Sequence, residues 1–79
     1  MNGTHHHPRP GDSVVLKEVP LGLLEGLPKE DQKAIIAIVG KPIRLNEYSD
    51  DGKAELQFTD SDGGIHFIYV RPDFIKTVK

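Results

Sequence analysis

Apolar positions recur with two different periods along the chain, and the change of period divides it. Near the start, Ser13 to Lys17 carries the β-favouring residues Val14, Val15 and Leu16, and Pro20 ends that strand because it has no ladder donor. Leu21, Leu23, Leu24 and Leu27 crowd a short, turn-like segment. From Pro28 the period becomes helical: Ile35, Ile38 and Val39 share one face, and Ile36 lies beside that stripe and widens it. Such a helix is expected to lie flat on an apolar surface. Pro28 suits the first helical position, Glu30 and Asp31 complement the positive helix end, and Gly40 supplies the stop.

After Lys41 the period is two. Pro42 stands at a strand start, Ile43 and Leu45 alternate with Arg44 and Asn46, and Tyr48 closes the strand. Ser49-Asp50-Asp51-Gly52 has the composition of a hairpin turn. Lys53 to Phe58 then alternates cleanly, with Ala54, Leu56 and Phe58 on one face and Lys53, Glu55 and Gln57 on the other. A second turn spans Thr59 to Gly64. Ile65 to Val70 breaks the pattern, because both of its faces are apolar: Ile65, Phe67 and Tyr69 on one, Ile68 and Val70 beside His66 on the other. One face must meet the core. The other must meet the helix, a second copy or a ligand. Arg71 to Phe74 reads as a tight turn and Ile75 to Val78 as a last short strand.

These elements predict a mainly β fold: a five-stranded barrel with one helix inserted between the first and second strands and a one-turn helix before the fifth. The closing segment, Tyr69-Val70-Arg71-Pro72-Asp73-Phe74-Ile75, resembles the end of SH3 domains, where a strand runs into a one-turn helix bearing an aromatic and then a β-branched residue. Phe74 and Ile75 take those places. The resemblance covers about Gly11 to Val78 in topology and implies an SH3-like barrel. The chain is also similar to a group of small bacterial proteins with this strand, helix and barrel order, a likeness that implies a fold and no activity. Peptide-binding SH3 domains grip proline-rich ligands with a Trp and an aromatic first loop. This chain has no Trp and a helix where that loop would be, so that binding mode is not implied.

Composition narrows the classes. A chain of 79 residues buries only about 60% of its unfolded surface, enough for one domain. Met1 to Gly11, with three consecutive His and two Pro, is expected to be a mobile arm or tag, leaving 12–79 as the domain. Twelve acidic against ten basic residues give a net charge of −2, a poor basis for a bulk electrostatic grip on nucleic acid or lipid. With no Cys there is no disulfide framework or thiolate chemistry, which suits a reducing, cytoplasmic setting. The longest apolar stretch, Ile35 to Val39, is far short of a membrane span.

Candidate chemistry is sparse. His5-His6-His7 offers imidazole ligands but no carboxylate beside them, so no metal site is expected. Asp60-Ser61-Asp62-Gly63 fails as a calcium loop, because the twelfth position from Asp60 is Arg71 rather than Glu. His66 has no Ser, Asp or Glu at a recognisable triad spacing and is expected to be a strand His bonded to a backbone group or carboxylate. No glycine run cradles a phosphate. A non-enzymatic module without cofactor is therefore expected, binding a protein partner or itself through a β-face comprising Tyr48, Ile65, Phe67, Tyr69 and Arg44. The alternative is a nucleic-acid-binding small barrel in which Lys41, Arg44, Lys53 and Arg71 line one side near the aromatics; Glu47, Asp50, Asp51 and Glu55 dilute that patch.

Overall fold

The computed structural model describes residues 8–78. Its elements follow the expected order: β1 (Ser13–Leu16), α1 (Lys29–Ile38), β2 (Pro42–Tyr48), β3 (Ala54–Thr59), β4 (Ile65–Val70), a one-turn 3₁₀ helix (Pro72–Phe74) and β5 (Ile75–Thr77). All five strands lie in one antiparallel sheet in the order β4-β3-β2-β1-β5. The sheet is not closed. β5 has only three residues and pairs with β1, so no ladder joins it to β4. Ile68 and Val70 of β4 belong to one core cluster with Val14 and Leu16 of β1 and Ile75 of β5.

Alternation sets that core. Val14, Leu16, Leu45, Ala54 and Leu56 are wholly buried, and Ile35 of α1 is nearly so. Each of the larger aliphatic side chains contributes about 1.5–3 kcal/mol by leaving water. The helix presents Ala34, Ile35 and Ile38 to this cluster, but Ile36 is 56% exposed. The stripe is thus narrower than its apolar residues suggest, because Ala34 rather than Ile36 completes it. Pro28 has an extended ψ of 155° and stands just outside the helix; its carbonyl accepts the Gln32 N–H (3.0 Å). Gly40, at φ +83°, turns the chain back, and its N–H donates to the Leu16 carbonyl (3.0 Å), tying the helix end to β1.

Where composition places a mobile arm up to Gly11, the chain is bonded to the sheet from Pro8 onward. Gly11 N–H donates to the Leu45 carbonyl (2.7 Å) while Leu45 N–H donates to the Asp12 carbonyl (2.9 Å), so two residues oppose one. This bulge needs the positive φ of Gly11 (+96°). His5-His6-His7 lies outside the described residues.

Candidate contact surface on the fourth strand

β4 pairs with β3 without a slip, from Thr59↔Ile65 to Ala54↔Val70. Residues directly opposite share a face, so Ile68 faces the core beside Leu56, and Val70 beside Ala54. The odd residues must then point outward. Ile65 is 60%, Phe67 54% and Tyr69 50% exposed. The helix does not cover them; its first turn lies by His66, on the other face, where Asp31 reaches the imidazole.

Rows across the outer face follow from the registers. Phe67 stands opposite Gln57, which stands opposite Arg44. Arg44 Nε donates to Asn46 Oδ1 (3.0 Å), and Asn46 Nδ2 donates to Gln57 Oε1 (3.0 Å), a polar chain bordering the aromatic row. Tyr69 stands opposite Glu55, and Glu55 opposite Glu47. Ile65, Phe67, Tyr69 and Arg44 are thus brought onto one face.

Tyr48 is not. Straight alternation puts it on the face of Arg44, but the register shifts between Leu45 and Glu47, and Asn46 becomes an extra residue. Tyr48 consequently stands opposite the buried Ala54 and packs against the core. Its hydroxyl donates to the Pro8 carbonyl (2.6 Å), fastening the N-terminal segment. Burial, with the negative Asp12 nearby, pushes its phenol above the usual value.

His66 lies on the inner face at the sheet margin, with its side chain 15% exposed. Its ring stacks on Phe58, centroids 5.2 Å apart and planes within 11°. Nε2 bonds Asp60 Oδ2 (2.7 Å) and Nδ1 lies 3.3 Å from Asp31 Oδ1. Asp60 also accepts the N–H groups of Asp62 (2.9 Å) and Gly64 (2.8 Å). These bonds, the one to His66 foremost, hold its carboxyl below the usual range against the opposing effect of burial. The other Asp-Gly turn behaves alike: Asp51 accepts from Ser49 Oγ and from the Lys53 N–H, and its carboxyl is lowered. With both ring nitrogens engaged by carboxylates, His66 pins α1, the β3–β4 turn and β4 together. No sequence signal links Asp31 to His66, since the pair is long-range.

Two grooves flank the sheet. One, of about 730 Å³, opens at the end of β4, where Leu21, Leu23, Tyr69 and Phe74 form apolar walls and Lys53, Arg71 and Asp73 a polar rim. The other, of about 910 Å³, lies between α1 and the β2–β3 pair and mixes Lys33, Lys41 and Arg44 with Glu30, Asp60 and Asp62. The four basic residues expected along one side are therefore divided between two grooves, each of which also contains acid. Compared with known proteins, the chain matches no family model, no curated protein and no solved structure.

Proposed function

We propose that the protein is a non-enzymatic interaction module that binds a protein surface through the outer face of β4. Ile65, Phe67 and Tyr69 are the anchors, and Arg44 with Asn46 and Gln57 forms the polar border. One observation carries the reading: three large apolar side chains, each at least half exposed, stand in a row on an edge strand whose opposite face already serves the core. Aromatic anchors with a polar rim are the usual composition of a contact surface. The SH3-like reading belongs to this proposal; the strand order and the 3₁₀ turn before β5 support it, while the open sheet departs from a closed barrel. The cysteine-free composition supports a cytoplasmic setting, and no helix among the described residues is long and apolar enough to cross a membrane.

The test places a photoreactive phenylalanine analogue at position 67 and, as a control, at Ile36, an equally exposed apolar position on the helix. In an extract of the native cell, discrete protein adducts at position 67 and none at 36 are expected. No adduct at 67, or the same adducts at both positions, contradicts the reading. Adducts that vanish with nuclease would instead favour the nucleic-acid alternative, whose affinity falls steeply with salt.

A further inference from the structure

Resting on that reading of the β4 face, we propose that its occupant is a second copy of this chain. The two β4 strands pair edge to edge, antiparallel, about a two-fold axis at Phe67.

Backbone geometry sets the register. At the hairpin mouth the Asp60 N–H donates to the Gly64 carbonyl (2.8 Å), which makes 60 and 64 a hydrogen-bonded pair. Bonded and non-bonded pairs alternate along an antiparallel ladder. His66, Ile68 and Val70 accordingly turn their N–H and C=O groups toward β3, and Ile65, Phe67 and Tyr69 turn theirs toward the free edge. The three residues with exposed apolar side chains are thus the three with edge-facing backbone groups. A continuous sheet requires outward residues to face outward residues. Placing Phe67 opposite the partner's Phe67 meets this condition and sets Ile65 opposite the partner's Tyr69 at both ends. All three residues of each copy then fall in hydrogen-bonded pairs, and six apolar side chains close into one cluster.

Charge agrees with this arrangement. Strands left free are commonly blunted with Lys, Pro, an inward charge or a bulge; Ile65 to Val70 contains no Lys, Arg, Asp, Glu or Pro and no bulge against β3, and its one inward polar side chain, His66, is tied within its own chain to Asp31 and Asp60. The turn before the strand carries Asp60 and Asp62, and Arg71 follows it, 3.5 Å from its own Asp73 at an exposed site where the guanidinium can also reach a second carboxylate. The two-fold pairing brings Arg71 of each copy alongside the Asp62-Gly63 end of the other, with Asp73 falling opposite Ser61.

The chain has no cysteine, so single thiols report the register directly. Hydrogen-bonded partners lie about 5.5 Å apart at Cα, within the roughly 4.4–6.8 Å that a disulfide spans. Two copies of position 69 would be separated by four residues along the strand, roughly 14 Å. With oxidised glutathione as oxidant, Phe67→Cys is expected to form disulfide dimers at least tenfold faster than Tyr69→Cys or Ile65→Cys alone. An equal mixture of the last two is expected to yield the mixed dimer. Tyr69→Cys reacting as fast as Phe67→Cys overturns the register. A second measurement needs no substitution: amide exchange at 65, 67 and 69 of the native chain should slow as protein concentration rises, while 66, 68 and 70 stay protected throughout. Fast exchange at the odd positions at every concentration overturns the pairing. If pairing fails while adducts to another protein persist at position 67, the contact reading survives without it; if both fail, the reading falls too.

Discussion

The two faces of β4 are built from the same kinds of residue and have opposite fates. Ile68 and Val70 are buried against Leu56 and Ala54, and His66 stacks on Phe58 at the margin. One residue away in each case, Ile65, Phe67 and Tyr69 leave half or more of their surface in water. The folding of one chain accounts for the first set and not for the second. An alternating strand with a solvated face normally carries polar residues there, and β3 does so with Glu55 and Gln57. The contrast between neighbouring strands of one hairpin places three adjacent exposed apolar side chains on β4 rather than β3, at the edge of the sheet, while Leu21 and Ile36 are exposed singly elsewhere.

Substitutions on the two faces sharpen this contrast. The largest effect is expected inside: Ile68→Ala should cost about 2–5 kcal/mol in urea unfolding, a large part of the stability of so small a domain. His66→Ala at the margin should cost on the order of 1–2 kcal/mol, through lost stacking and burial of the ring. It should also change the acid limb. The Asp60 carboxyl is lowered in the folded state, so its contribution is present above the unfolded value of about 3.9 and is lost as pH falls through the folded value. Unfolding measured from pH 6 down to 2 should show a shallower acid loss in His66→Ala than in the native chain.

Tyr48→Phe extends the comparison to β2. It removes the bond to Pro8 and should cost about 0.5–1.5 kcal/mol, with faster amide exchange at Gly11; no change would return Tyr48 to the outer face. Outside, Phe67→Thr with Tyr69→Thr retains β-favouring residues and should change the stability of the dilute protein by less than about 1 kcal/mol. A loss matching that of Ile68→Ala would make the outer row part of the core. The smallest effect is a gain: Glu47 and Glu55 stand directly opposite one another, and Glu55→Lys should stabilise by about 0.2–1 kcal/mol, less at high salt.

Much of this arrangement is legible in the amino-acid pattern, for reasons that also show where legibility stops. The hairpins and the helix follow from strict alternation, Asp-Gly turns and the spacing of Ile35 and Ile38, all local signals. The double apolarity of 65–70 is likewise visible, and all four residues expected beside Tyr48 do share a face. Tyr48 itself is misplaced by parity, because the extra residue at Asn46 inverts every position after it and leaves no mark in composition. Ile36 looks like part of the stripe until Ala34 takes that place, a choice made by the surface beneath the helix. The anchoring of Pro8 and the meeting of Asp31 with His66 depend on partners about forty and thirty-five residues away, and periodicity carries no such information.

The central claim is that the outer face of β4 joins two chains and is dispensable to the fold of one. Sedimentation equilibrium tests it most directly, run over a wide concentration range on the native chain and on the Phe67→Thr, Tyr69→Thr variant. A chelator keeps His5-His6-His7 from bridging copies through trace metal. The account predicts a native dimer that dissociates on dilution and a variant that stays folded and monomeric. A native chain that is monomeric at every concentration, or a variant that still dimerises, would contradict it.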